Sequence, residues 1–232
     1  MKRWLAMLAA ALLPAGVQGE DHGRFEGAVT VEWLDSDPFL FTFRLLRDFT
    51  YRDGKGKAWT VPGGKVIDGK SVPPLFMDRI GHPFDGGFRK SAVVYDYATQ
   101  TMSEPWPATQ RMFYEAALAE GVPSAEAKAM YLMLIGQGSR WEVAGSRCYG
   151  SCHGDSSPLF WRPVVDEPKI EELLQWVREN DPPLVEVEQR VAGAILDKGP
   201  HVFPVERCYL FSGSTKVGSR CTKEEAEAAR AR

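Results

Sequence analysis

Apolar and polar positions divide the chain into a β-rich first third and a helical remainder. Ala28, Thr30 and Glu32 alternate with Val29, Val31 and Trp33, the period-two pattern of a half-buried strand. Phe39 to Leu46 is a second β-rich run. Phe49-Thr50-Tyr51 and Ala58-Trp59-Thr60-Val61 flank Asp53-Gly54-Lys55-Gly56, a hairpin signal in which glycine supplies positive φ. Pro62-Gly63-Gly64 turns the chain into Lys65-Val66-Ile67. Together these runs predict a small antiparallel sheet of three to five strands, preceded by polar, frayed residues 20–24.

Helical spacing takes over at Pro73 and Pro74, which open a short helix through Ile80 because a first turn tolerates a missing N–H. After a loop from Gly81 to Gly87 comes Ser91–Thr99, with Val93, Val94, Tyr97 and Ala98 as its apolar stripe. Asp96 borders that stripe. A carboxylate entering an apolar interior must be paired, hydrogen-bonded or protonated, so another segment should come to meet it. A loop at Glu104–Pro107 precedes a helix from Ala108 to Glu120, whose apolar face is Met112, Phe113, Ala116 and Ala117. Gly121 and Pro123 end it, and Ser124 can N-cap the next helix, which carries Ala127, Met130, Tyr131 and Leu134 and ends near Gly136-Gln137-Gly138. The short connection predicts an antiparallel pair.

Beyond Trp141, Arg147–Pro158 reads as an irregular loop, Lys169–Glu179 as an amphipathic helix and Leu184–Leu196 as another, broken from it by Asp181-Pro182-Pro183. Tyr209-Leu210-Phe211 is strand-like, and Thr222 with Glu225 forms a capping box for a charged final helix. The fold class is α+β: a small antiparallel sheet, then a helical layer, then a disulfide-stapled, mostly helical C-terminal region. The expected organisation is a signal peptide over 1–19, an α+β domain over 20–142 and a Cys-containing region over 143–232.

Composition is that of a globular chain, with 44% apolar and 25% charged residues and a net charge of −3. With no basic stripe, it argues against nucleic-acid binding. Lys2 and Arg3 precede an apolar run from Trp4 to Leu13, and Val17-Gln18-Gly19 places small residues for cleavage before Glu20. Ten apolar residues are too few to span a bilayer, so the expectation is a cleaved export signal that leaves no stable membrane anchor. The expected location is periplasmic or secreted. In an oxidising compartment Cys148, Cys152, Cys208 and Cys221 suggest two disulfides, with three connectivities open.

Three motifs in order carry a resemblance. Ile67-Asp68-Gly69-Lys70-Ser71-Val72-Pro73 is followed by Ala92-Val93-Val94-Tyr95-Asp96-Tyr97 and then by the helix pair ending at Gly136. Over roughly Phe25 to Trp141 this resembles the uncharacterised domain of unknown function 1353 family, common in phages and prophages. There the first motif reads close to Thr-Asp-Gly-Ala-Ser-Val-Pro, the second His-Asp-Tyr, and a third places an Asp about three residues before a Phe. This chain keeps Asp68 and Asp96, has Tyr95 where the family has His, and has Gln110 ahead of Phe113 where the family has Asp. The resemblance implies one polar pocket of Asp68, Ser71, Tyr95, Asp96 and Gln110 that has lost an imidazole and a carboxylate.

Two functional readings follow. Asp68 and Asp96 are either a carboxylate pair able to act as acid and base, with or without a divalent metal, or a turn cap and its hydrogen-bonded partner. The first makes an envelope-acting hydrolase. The second makes an exported, non-catalytic protein with a structural or interaction role and a degenerate pocket, a possible cell-envelope component whose partner the sequence leaves unknown. The leading expectation for cofactors is none, with two weaker alternatives. Cys148-Tyr149-Gly150-Ser151-Cys152-His153 is one residue longer than a c-type haem attachment motif, with His153 as the axial ligand. A mature terminus Glu20-Asp21-His22 has the spacing to wrap Cu(II) or Ni(II). His82 and His201 sit in loops with no neighbouring nucleophile.

Overall fold

The computed structural model describes residues 21–34, 42–141, 160–161, 165–196, 211–212 and 215–216. The β-rich third forms two three-stranded antiparallel sheets instead of one small sheet. The first has the order β1 (Arg24–Glu26), β4 (Phe49–Arg52), β5 (Ala58–Val61); the second has β2 (Val31–Trp33), β3 (Phe43–Leu45), β6 (Val66–Ile67). The hairpin forms where the alternation put it, with Thr50 opposite Thr60 and Tyr51 opposite Trp59. Its turn is organised by Asp53, whose Oδ1 accepts the Lys55 and Lys57 N–H groups at 3.0 and 2.9 Å while Oδ2 accepts Trp59 Nε1 at 3.3 Å. Phe43, Leu45, Phe49, Tyr51, Trp59, Val61 and Ile67 all point into one core.

Strand β1 begins at Arg24, the last of the residues 20–24 expected to fray. Phe25 stacks on Phe49 with ring centroids 5.7 Å apart, and Glu26 accepts from Arg52 Nε at 2.8 Å, so this edge is fixed by cross-strand partners and not by its own composition.

Among the described residues six helices follow: α1 (Pro74–Arg79), α2 (Arg89–Thr101), α3 (Trp106–Glu120), α4 (Ser124–Gln137), α5 (Glu167–Asn180) and α6 (Leu184–Ala194). Strand pairs β7 (Arg140–Trp141) with β8 (Phe160–Trp161), and β9 (Phe211–Ser212) with β10 (Thr215–Lys216), complete the described elements. Helix α2 lies between β4, β5 and β6 on one side and α3 on the other. It is therefore buried almost all round, and the expected one-sided stripe is a nearly complete jacket that includes Ser91, Tyr95 and Asp96. Helix α4 is buried in the same way, between α3 and α1 and the pair α5 and α6. An aromatic cluster of Phe76, Phe88, Tyr95 and Phe113 joins α1, α2 and α3 through edge-on contacts of 5.1 to 6.3 Å.

The starts of α3 and α4 differ from expectation in ways the sequence explains. Helix α3 begins at Trp106, because Pro107 sits in the first turn where its missing N–H costs nothing. Ser124 does not cap α4: the cap position is Pro123, and the Ser124 hydroxyl donates to Asp181 Oδ1 at 2.9 Å. The start of α2 is capped from a distance. Glu120, the last residue of α3, accepts the Lys90 and Ser91 N–H groups at 3.0 Å each and the Ser91 hydroxyl at 2.8 Å. A carboxylate there also meets the positive end of the helix dipole.

Among the described residues no helix is long and apolar enough to cross a membrane. The expected signal segment, Cys148, Cys152, Cys208, Cys221, the haem-like run ending at His153, His201 and the final helix lie outside the described residues.

Candidate functional site

The segment between β6 and α1 is the turn Asp68-Gly69-Lys70-Ser71, and it closes on α2. Gly69 has φ +67°, and a side chain there would meet the Phe84 ring at 2.9 Å, so both backbone and space demand glycine. Asp68 holds the turn locally, its Oδ1 accepting the Lys70 N–H at 3.1 Å and its Oδ2 lying 3.4 Å from Lys70 Nζ. Val72 and Pro73 are buried, and Pro73 is the cap position of α1, with Pro74 opening the helix.

The turn's inward N–H groups converge on Asp96. The Asp68 N–H donates to Asp96 Oδ2 at 3.1 Å and the Ser71 N–H to Oδ1 at 3.3 Å. Gln100, one helical turn further along α2, donates its Nε2 to Oδ2 at 2.8 Å, and the Ser71 hydroxyl donates to the Asp96 carbonyl at 3.4 Å. Asp96 is 2% exposed. The segment expected to come and meet the buried carboxylate is therefore the Asp68 turn. No described cation neutralises it among these contacts.

Burial, and next the neighbouring Asp68 carboxylate, push the Asp96 carboxyl up to about 6 against the pull of its hydrogen bonds to Ser71 and the 68–69 backbone. A carboxylate surrounded by N–H dipoles is ordinarily lowered; here desolvation outweighs them. The site holds one carboxylate with a raised pKa and a second that is about one-third exposed, but only the second faces solvent.

Ser71 is the one further pocket residue that joins Asp68 and Asp96. Tyr95 turns away from them, its ring edge-on to Phe113 at 5.1 Å in the core between α2 and α3. Gln110 sits elsewhere: fully buried on α3, it donates Nε2 to the carbonyls of Leu134 and Ser139 at 3.1 Å each and fastens the end of α4. Its Oε1 has no hydrogen-bond partner among the described residues. The pocket of Asp68, Ser71, Tyr95, Asp96 and Gln110 is thus not assembled as one cluster. Gln100, which the sequence reading did not single out, takes part; its position four residues after Asp96 on one helix was the available signal.

Among the described residues no group of three or more His, Cys, Asp or Glu side chains is placed to hold a metal ion. His82 uses its Nδ1 to accept the Phe84 N–H at 3.2 Å, tying off the loop beside Gly69. His22 gives its backbone carbonyl to the Tyr51 hydroxyl.

Residues 43–134 match the family described as Protein of unknown function (DUF1353), the family to which the three motifs point. The Sinorhizobium fredii (strain NBRC 101917 / NGR234) protein "Uncharacterized protein y4jT" is 38% identical over 124 residues, covering 53% of this chain and 37% of its own length. "Uncharacterized protein y4iH" of the same organism is 30% identical over 162 residues, covering 64% of this chain and 66% of its own. The chain therefore spans about a third of the first relative and just under two thirds of the second. No solved structure matches.

Proposed function

From a domain of a family of unknown function, we propose an exported, non-catalytic protein with a structural or interaction role, in which the Asp68 turn and Asp96 form a cross-brace. The observation that carries this reading is the use of Asp96: both its oxygens accept from the chain's own N–H groups, and the residue is 2% exposed. A general acid or base must come within hydrogen-bond reach of the group it serves. Asp96 offers no such approach. The Asp-Gly-Lys-Ser-Val-Pro segment is put to structural use: a turn, a positive φ, three bonds to α2, a buried apolar side chain and a helix start.

The competing reading, a hydrolase acting on the cell envelope through Asp68 and Asp96, is favoured by the raised Asp96 carboxyl, which stands near the pH where general acids work. Asp96→Asn separates the two, because it keeps an acceptor and the side-chain shape while removing the titrating group. Purified wild type and Asp96→Asn would be incubated with isolated cell walls, soluble fragments measured, and the wild type analysed for bound metals. The expected result is no fragment release by either protein and no stoichiometric metal. Release by wild type that disappears in a folded Asp96→Asn protein would sink the non-catalytic reading. Export has its own test: expression of the full chain followed by N-terminal sequencing should give Glu20 as the first residue, and an intact Met1 would refute it.

A further inference from the structure

Strand β5 is the edge of its sheet among the described residues, and α2 runs beside it. Between them lies a groove of about 280 Å³ with Ala58, Trp59 and Thr60 on one wall and Val94, Tyr97 and Ala98 on the other. The ladder fixes which backbone groups face this groove. The Asp53 N–H donates to the Lys57 carbonyl at 3.0 Å, and the register then pairs Arg52 with Ala58, Tyr51 with Trp59 and Thr50 with Thr60. Hydrogen-bonded and non-hydrogen-bonded pairs alternate along an antiparallel ladder, so Tyr51–Trp59 follows the Asp53–Lys57 phase and bonds across the hairpin. The N–H and C=O of Ala58 and Thr60 are left directed away from β4. No backbone bond from another described segment reaches them.

An edge with unpaired groups is usually blunted by charge, proline or a bulge. Here Ala58 and Thr60 are exposed and uncharged. The charged residues lining the groove are Lys57 and Glu104, paired with each other at 2.7 Å, with the Lys57 ammonium also 4.1 Å from the Trp59 ring centroid. The walls are thus neutral between this pair and the far end, and a charged side chain entering them would lose hydration without gaining a partner.

We infer that this groove is a binding site for an uncharged, extended peptide segment of a partner protein, which adds as a strand to the free edge of β5 and packs its alternate side chains against α2. Backbone pairing to Ala58 and Thr60 supplies the affinity, and the accessible part of the α2 wall, at Tyr97 and Thr101, selects the side chains, the division of labour expected of strand addition. At a strand rise of about 3.4 Å per residue, pairing with Ala58 through Thr60 engages roughly three to four residues of the partner. The inference deepens the interaction reading above by naming the class of partner.

The test is a displayed library of random hexapeptides selected against the full chain, followed by the best synthetic peptide titrated into wild type, Thr60→Pro and Thr101→Trp. Thr60→Pro removes an outward N–H and spares the backbone ladder to β4, a place where an edge strand tolerates proline, but it also removes the 2.8 Å hydroxyl bond from Thr60 to Thr50. Thr101→Trp fills the groove from an exposed position on α2, so it carries the test if Thr60→Pro disturbs the strand. The expected result is an uncharged consensus, at least tenfold weaker binding to both variants with the urea midpoint of Thr101→Trp unchanged, and slowed amide exchange at Ala58 and Thr60 on peptide addition. No enriched peptide, a charged consensus, binding indifferent to Thr101→Trp, or self-association of the chain that Thr101→Trp abolishes would each overturn it. The cell-wall assay on Asp96→Asn is independent, so loss of the peptide site leaves the non-catalytic reading to stand or fall alone.

Discussion

The two buried helices solve the same problem with opposite charges. Helix α2 carries Asp96 into the interior and α4 carries Lys128, 2% and 8% exposed. Each charge holds a turn that contains a left-handed residue, Gly69 at φ +67° in one case and Asp181 at φ +42° in the other. Lys128 has a counterion: its Nζ reaches Asp181 Oδ1 at 2.7 Å and the Asp181 carbonyl at 3.3 Å, and that bond holds the Asp181 carboxyl below the usual carboxylate range. Asp96 has dipoles instead, and a second carboxylate nearby. Asp181 is half exposed, so water shares the cost of Lys128. Nothing comparable relieves Asp96, and the direction of its pKa records that. A formal ion pair at the rim of a core is thus an easier arrangement than a buried anion wrapped in N–H groups.

The sharpest way to break the α2 brace is Asp96→Ala. It strands the Asp68 and Ser71 N–H groups and opens a small void, and the expected loss is about 3 kcal/mol at pH 5. Urea unfolding reads it. At pH 7 the loss should be smaller, because the variant also removes a charge that burial opposes. A loss below 1 kcal/mol at both pH values, a threshold near the net worth of one ordinary hydrogen bond, would mean the turn stays in place without Asp96.

Titration of wild type should show the next largest effect. The folded carboxyl is raised to about 6 from 3.8. Between those values the folded chain binds more protons than the unfolded one, so stability rises as pH falls through 6 and is lost as pH rises through it. The gain from pH 7 should be about 1 kcal/mol at pH 5 and about 2 kcal/mol at pH 4. Glu26 and Asp181 act in the opposite sense, because their carboxyls are lowered and their contributions fall away as pH drops through those lowered values. The quantity to plot is therefore wild type minus Asp96→Asn. A flat difference between pH 4 and 7 would remove the claim that burial dominates at Asp96.

Much of this was legible before the structure, for reasons that differ by element. The β4–β5 hairpin was readable because alternation and a Gly-rich turn agree with each other. The partnership of Asp96 with the Asp68 turn was readable because a carboxylate on an apolar helix demands donors, and the resemblance linked the two motifs. The jacket around α2 was not readable, since a helical pattern of eight buried residues looks one-sided until two layers cover it. Gln110 was misplaced by family spacing: its amide bonds two carbonyls near the end of α4, which only the packing of α3 on α4 brings within reach. Glu120 capping α2 across thirty residues leaves no local signal at all.

Lys128→Met tests the other half of the comparison. Methionine keeps the buried stem and drops the ammonium, while Asp181 can turn to water from its half-exposed position. The expected loss is about 1 kcal/mol, within the range of partly exposed ion pairs. Raising the salt concentration from about 0.05 to 0.5 M should reduce it, because the Debye length shortens. The Asp96→Ala loss should not respond in that way, since its donors are dipoles inside the fold. Equal salt sensitivity at the two sites would erase the distinction between them.

The smallest expected effect is at Gln100, an exposed residue whose Nε2 donates to Asp96 Oδ2 at 2.8 Å. Gln100→Ala leaves the two backbone donors in place, so the loss at pH 7 should be about 0.5–1 kcal/mol. Its value lies in the direction of a second change. The Gln100 amide favours the ionised carboxylate, so removing it should raise the Asp96 carboxyl further and move the stability transition to higher pH. The shift would be followed by the Asp96 carboxyl carbon resonance across a pH series of wild type and variant. If the transition moves to lower pH instead, the Gln100 amide presents its Oε1 as acceptor to the protonated carboxyl, and only the Asp68 and Ser71 N–H groups hold the ionised form.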